Sequence, residues 1–408
     1  MYTFDGIITR LTLPLAFFLV VGLIASCDET PIVGGNLSPD DVVVNADTAL
    51  ITNLSVARSP SFSGIRLYST AGRVVDPVFG EIKATALMRP SISRVEQADT
   101  IGENAVAHLS LNIDNQYGSA AAPADFYIVE LGRPWRSSSW RYDSIPDFAK
   151  NPDLSPKVIG QFTLSGTDSI SVPLSDEWIS RYREIFSMSP GILRDSLYRA
   201  DMPGLAIIPA GGTDRMFSVE MPRARLLIQS GNGLGDLSKE FDSWAVSLEM
   251  DNPEEKDFGA AKPVFNTMSS MLEIDIDFTE EFLGTVNFSR VELVLYEDTV
   301  RMQSGLPADF ERPRSETMRI YILEPEQLYY AISGEPRFQV NQRESDRSYR
   351  INLTSLVNEQ LRIGGDDGRK FYAVIGSNDG RFLPVLLSGS EDHQRKPKLL
   401  ITSISKKQ

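Results

Sequence analysis

Ala105-Val106-Ala107-His108-Leu109-Ser110-Leu111-Asn112-Ile113 is the stretch on which the fold turns. Apolar residues alternate with polar or small ones for most of its length. A period of two places one set of side chains on each face of an extended strand, so one face is buried and the other is not. Met271-Leu272-Glu273-Ile274-Asp275-Ile276-Asp277-Phe278 repeats the pattern. Phe126 to Val129, Val291 to Tyr296 and Phe371 to Ile375 are further strand candidates, rich in β-branched and aromatic residues. Gly, Pro, Asn and Asp clusters punctuate them. Helical patterns are few: Glu177 to Phe186 follows Ser175, and Leu353 to Leu361 follows Asn352, each a residue type suited to capping. The expectation is an all-β body with long loops.

The strand candidates recur in order. One copy runs from about residue 84 to 229 and a second from about 264 to 403. Val106 to Ile113 matches Leu272 to Phe278, and Phe126 to Leu131 matches Val291 to Tyr296. Ser169 to Trp178 matches Tyr349 to Val357, Gly204 to Ile208 matches Phe371 to Ile375, and Phe217 to Ile228 matches Ser388 to Ile401. A repeat this long means two whole domains and not a solenoid. The length of 408 residues agrees with two or three domains.

Composition narrows the chemistry. The net charge is −15, which disfavours nucleic acid, because phosphate binding draws on clustered positive charge. One cysteine, Cys27, and two histidines, His108 and His393, leave little for disulfides, zinc or a Ser-His-Asp arrangement. No phosphate loop, zinc motif or nucleophile elbow is present. No cofactor and no metal are expected.

Leu11 to Ser26 are uncharged and follow Arg10, and Ile24-Ala25-Ser26 lead into Cys27. A charged head, an apolar middle and small residues before a cut site are the order of a secretory signal. The run is short for a spanning helix, which needs about 20 apolar residues. The stretch resembles a bacterial lipobox. That resemblance implies a lipoprotein signal peptide over 1–26, lipidation of Cys27 and attachment to a membrane through the N-terminal lipid. Residues 27–50 carry Pro31, Gly34, Gly35 and Pro39 and read as a flexible linker. Asp28 and Glu29 resemble sorting residues of such lipoproteins, retaining them at an inner membrane or exporting them to a surface, and acidic linkers are also common without that role.

Two further likenesses concern the body. Asn352-Leu353-Thr354-Ser355-Leu356-Val357, Ser390 with Glu391, and Pro397-Lys398-Leu399-Leu400-Ile401 resemble the closing half of the DNRLRE-type β-sandwich of secreted bacterial proteins, some of which bind carbohydrate. Gly72-Arg73-Val74-Val75-Asp76-Pro77-Val78-Phe79-Gly80-Glu81-Ile82-Lys83-Ala84 resembles the opening of an uncharacterised family of Bacteroidota lipoproteins. Together they imply two tandem jelly-roll-like β-sandwich domains, over 51–230 and 263–408, joined by a linker over 231–262. The implied location is the cell envelope, at the outer membrane on its periplasmic face or at the cell surface.

Candidate sites follow from residue type. Trp135 and Trp140 share a loop with Arg133, Arg136, Arg141 and Tyr142. Aromatic rings stack on sugars and arginines add hydrogen bonds, so the loop is a candidate glycan or protein contact, or else the tryptophans cover the core. Asp followed by Ser or Thr and an aliphatic residue resembles the O-glycosylation sequon of Bacteroidota envelope proteins. It would make Thr48, Thr100, Ser144, Ser169, Ser196 and Thr299 acceptors, although such pairs are also ordinary turn residues. Asp366 and Asp367 between glycines read as a turn or a calcium ligand pair. Asp275 and Asp277 share a strand face, where paired carboxylates serve glycoside hydrolysis or simply face water. His108 reads as a strand residue with a structural hydrogen bond, and His393 as solvated. The expected role is recognition without catalysis: binding a polysaccharide, or serving an envelope protein complex as an accessory. A purely structural lipoprotein and a glycosidase-like enzyme are the alternatives.

Overall fold

The computed structural model describes residues 42–47, 51–92, 100–150, 156–166, 168–231, 235–251, 257–276, 287–324, 335–363, 370–389 and 394–404. Cys27, Asp28, Glu29, Thr48, Asp277, Asp366, Asp367 and His393 lie outside them, as does the expected signal peptide. The chain is mostly strand, and every pairing between its strands is antiparallel.

The amino-terminal part contains β1 (Val42–Asp47), β2 (Ile51–Arg58), β3 (Tyr68–Asp76), β4 (Gly80–Pro90), β5 (Val106–Ser119) and β6 (Asp125–Glu130). It continues through α1 (Asp147–Lys150), β7 (Lys157–Thr163), β8 (Ser169–Pro173), α2 (Asp176–Ser187) and α3 (Ile192–Asp201) to β9 (Leu205–Pro209), β10 (Arg215–Glu220) and β11 (Arg225–Gln229). Then come β12 (Leu237–Lys239), β13 (Phe241–Met250), β14 (Lys262–Phe265), β15 (Ser270–Ile276), β16 (Asn287–Tyr296), α4 (Thr299–Gln303), β17 (Phe310–Glu311) and β18 (Thr317–Leu323). The last elements are β19 (Phe338–Asn341), β20 (Ser348–Asn352), α5 (Thr354–Ile363), β21 (Lys370–Ile375), β22 (Pro384–Leu387) and β23 (Lys398–Ile404).

Two bodies emerge from the pairing. In the first, one ladder runs β12-β11-β5-β8 and another runs β13-β4-β9-β6-β7, while β3 pairs with β10. In the second, the ladders run β1-β23-β16-β20 and β2-β15-β21-β18-β19, while β14 pairs with β22. Each ladder of one body thus has its counterpart in the other, with a helix after β8 and again after β20. The equivalence is shifted from the order read in sequence. The long alternating strand β5 corresponds to β16 and not to β15, because β5 and β16 are the strands that hold both the closing strand and the strand before the helix. Among the described residues, the first body joins its ladders through β3–β4 and β5–β10, and the second body does not.

The amino-terminal strand pair closes the carboxyl-terminal body. β1 pairs with β23 from Val42 opposite Ile404 to Asp47 opposite Leu399, and β2 pairs with β15. The equivalent pair, β12 and β13, precedes the second body in sequence yet completes the first, on β11 and β4. Each repeat, read as a strand pair followed by a body, therefore lends its pair to the other. Two expected linkers carry these strands: β1 lies within 27–50, and β12 and β13 lie within 231–262. Gly231, Gly233 and Gly235 give the second segment its linker texture in sequence, yet Phe241, Ala245 and Val246 are buried along β13.

The helices follow local rules. In α2, Trp178, Tyr182 and Phe186 recur every four residues on the buried face, and the Ser175 hydroxyl accepts the Trp178 N–H at 3.3 Å. Asn352 Oδ1 accepts the Thr354 N–H at 3.0 Å and so turns the chain into α5. No described helix is long and apolar enough to cross a membrane. The first body has its own core around Leu109, Leu111, Phe126, Trp178 and Phe217. The core of the second, around Leu293, Ile320, Ile351 and Phe371, runs on without a break into Val74, Phe79, Ile82 and Tyr117 of the first.

Candidate functional site

The junction is built on Asp76-Pro77-Val78-Phe79-Gly80, between β3 and β4. Asp76 Oδ1 accepts the N–H groups of Val78 at 2.7 Å and Phe79 at 2.9 Å, which folds the turn on its own side chain. Gly80 closes it at φ +85°, where a side chain would be strained. Phe79 drops into the shared core, 6.0 Å from the Phe265 ring. Asp76 also receives Arg312 of the second body as a fork, Nε at 2.8 Å and Nη2 at 2.9 Å, and the Tyr117 hydroxyl donates to it at 2.6 Å. Arg312 gives its remaining Nη1 to the Met302 carbonyl and lies over the Phe79 and Phe310 rings. The Asp76 and Arg312 side chains are 0% and 1% exposed. Removing both charges from water is costly, and only this saturated geometry repays it. Burial, then the Asp76 charge, holds the Tyr117 hydroxyl far above its usual pKa, so it stays a donor.

A loop of the second body plugs into the first beside that lock. The Tyr68 N–H donates to the Asp379 carbonyl and the Thr70 hydroxyl to the Gly380 carbonyl, each at 2.8 Å. Tyr142 donates to Asn378 Oδ1 at 2.7 Å. Asn266 braces the loop from behind, donating to the carbonyls of Ser377 and Arg381. Gly380 sits at φ +98°, and a Cβ there would come within 1.9 Å of the Tyr68 carbonyl oxygen. Arg381 grips Asp379 at 2.6 and 2.9 Å, reaches Asp114 at 3.3 Å and covers the Tyr68 ring at 4.6 Å.

These two attachments leave a polar cleft of about 540 Å3 between them. Asp114, Asn115 and Gln116 of β5 line one side, Arg215 of β10 another, and Glu311 and Pro313 of the second body a third. Arg215 donates to the Gln116 side-chain oxygen, which fixes both groups. Asp309 steadies the adjoining loop: the Ser119 hydroxyl donates to it, as does the Ala121 N–H at 3.1 Å, and the Ser119 bond leads in holding its carboxyl below the usual range. Carboxylates, amides and a guanidinium around one cavity present both acceptors and donors to a ligand. That set suits a hydroxyl-rich molecule and offers little to a greasy one.

The residues singled out by sequence lie elsewhere. Trp135 is buried and Trp140 half-buried; their rings meet edge to face at 5.6 Å over Leu87, Val129 and Ala245. Trp140 Nε1 donates to the Ser247 hydroxyl at 3.1 Å. The pair therefore covers the β4–β13 region and does not form a sugar-stacking platform, since burial of large rings outweighs their exposure. Arg133 is exposed, 3.5 Å from Asp147, and Arg136 is exposed at the same tip. Asp275 shares Lys370 with Glu273 on a half-buried strand face, at 3.5 and 2.7 Å. His108 lies half-buried in β5. Thr100, Ser169 and Ser196 are exposed, and Ser144 and Thr299 are half-buried. The alternating pattern ends at Ile113, one residue before the cleft. The available signal was Asp114-Asn115-Gln116, three polar residues that break the alternation while the strand goes on.

Comparison with protein-family models and with curated proteins finds no match for this chain.

Proposed function

We propose that this chain is a lipid-anchored cell-envelope protein, built from two related jelly-roll-like sandwiches, that acts by recognition and binds a glycan in the cleft between them. The cleft itself carries the reading: carboxylate, amide and guanidinium groups converge on about 540 Å3 within a braced frame. An open polar cleft whose lining groups are already braced loses little conformational freedom on binding, which favours a polar ligand such as an oligosaccharide. The lipobox-like Ile24-Ala25-Ser26-Cys27 supports attachment at the envelope, where glycans are the abundant polar polymers.

Glycan-array binding of the intact chain tests the proposal. Retention of a polysaccharide should fall about tenfold or more in Asn115→Ala with Gln116→Ala, because each lost hydrogen bond is worth roughly 1 kcal/mol. Equal binding by the variant, or no glycan bound at all, would point instead to an envelope protein as ligand. Mass spectrometry of the amino-terminal peptide tests the anchor separately: a diacylglycerol adduct on Cys27 is the expected result.

A further inference from the structure

We propose that β1 and β2 are exchanged between copies of this chain, so that the second body of one molecule is completed by the amino-terminal strand pair of another. Within one chain the two repeats already trade these pairs, so the lent strand pair is an interchangeable part of the fold. The two pairs are not held alike. β13 buries Phe241, Ser243, Ala245, Val246 and Ser247, whereas β2 has no fully buried residue. Detaching β2 forfeits a backbone ladder and the partial packing of Ile51, Leu54 and Ala57, and a second copy's β2 would restore both.

The connector from β2 to β3 adds a reason to move. Ile65 stands there at φ +53° and is about half exposed. A β-branched residue pays heavily in the left-handed region. Ile65 N–H donates to the Trp244 carbonyl at 2.9 Å, and the residues around it are tied as well: Ser63 N–H to the Trp140 carbonyl at 3.0 Å, Tyr142 N–H to the Ser61 carbonyl at 3.0 Å, the Ser63 hydroxyl to the Val246 carbonyl at 2.6 Å and Met221 N–H to the Leu67 carbonyl at 3.0 Å. Exchange carries the buried Ser61 and Ser63 with the arm, so that Tyr142, Trp140 and Val246 of the neighbour re-form their bonds, and only Gly64 to Leu67 open into an extended hinge, which releases the strain at Ile65 and lets the strand pair reach a neighbour. Strained short hinges favour such exchange. Reciprocal exchange closes a dimer, and onward exchange makes an open chain of copies.

Ser55 and Glu273 stand directly opposite each other across β2 and β15. The full chain carrying Cys27→Ser, Ser55→Cys and Glu273→Cys has thiols only at that pair. After oxidation, denaturing electrophoresis without reductant should show covalent dimers and larger species. Adding Ile65→Gly should lower their share about fivefold or more, because glycine accepts the left-handed backbone and the unexchanged form loses its strain. A product consisting only of compact monomers with an internal disulfide would overturn the proposal. If the thiols stay unpaired, light scattering on the chain with Cys27→Ser decides. Oligomers that Ile65→Gly converts to monomers support exchange; monomers at every concentration, or oligomers indifferent to Ile65→Gly, refute it.

Discussion

Asp76 and Arg312 hold the two bodies together through one fully buried ion pair. Arg312→Ala strands a buried carboxylate and should cost about 3–5 kcal/mol, read as a lower denaturant midpoint with an unchanged slope. Asp76→Asn should cost a similar amount: the amide oxygen still accepts the Val78 and Phe79 N–H groups, but the Arg312 charge is left buried without its counterion. A surface pair behaves differently. Arg73 donates to Glu81 and holds its carboxyl below the usual range. A depressed carboxylate contributes its stability above the unfolded value, about 4.3 for Glu, and loses it as pH falls through the lowered folded value. Both groups reach water, so the effect should stay below about 1 kcal/mol. Comparing acid unfolding of Arg73→Met with the parent chain checks it. At this scale the sequence displays the Asp-Pro-x-Phe-Gly turn plainly. It conceals Arg312, which lies 236 residues away and is brought in only by the packing of the second body.

Among the elements, the loop from Ser377 to Arg381 is tied closely to its neighbours. Gly380→Ala combines a disfavoured φ with a clash against the Tyr68 carbonyl and should cost about 1–3 kcal/mol or more. The thermal midpoint should fall accordingly, whereas Gly211→Ala, with open space around its Cβ, should barely move it. Elements with local signals were legible: the period-two pattern of β5 and the Ser175 cap of α2 both stand where expected. β13 was not, since glycines and acidic residues flank it and its burial depends on β4, some 150 residues earlier in the chain and hidden from any local pattern. Trp135 and Trp140 follow the second of the two readings their sequence allows: they cover the core, because β13 lies beneath them.

For the whole molecule, strand pairing sets boundaries that differ from those of composition. A fragment of residues 51–230 lacks β13, leaves the β4 edge open and should aggregate. A fragment of residues 59–251 keeps β12 and β13 and leaves β2 out. It should be the more soluble of the two and unfold cooperatively, which circular dichroism and light scattering can decide. The mostly β class could be read from sequence. The reciprocal lending of strand pairs could not, because two equivalent bodies offer each pair the same kind of edge and only the three-dimensional path chooses between them.

The β1–β23 ladder also has a mechanical meaning. β1 is the first described element after the residues expected to tie the chain to a membrane, and Val42 lies opposite Ile404 at the start of its ladder. A tug along that leash would fall on this ladder before any other, and would peel it rung by rung from Val42 inward. If the amino terminus is lipid-anchored as proposed, resistance to shear would begin with that six-residue zip.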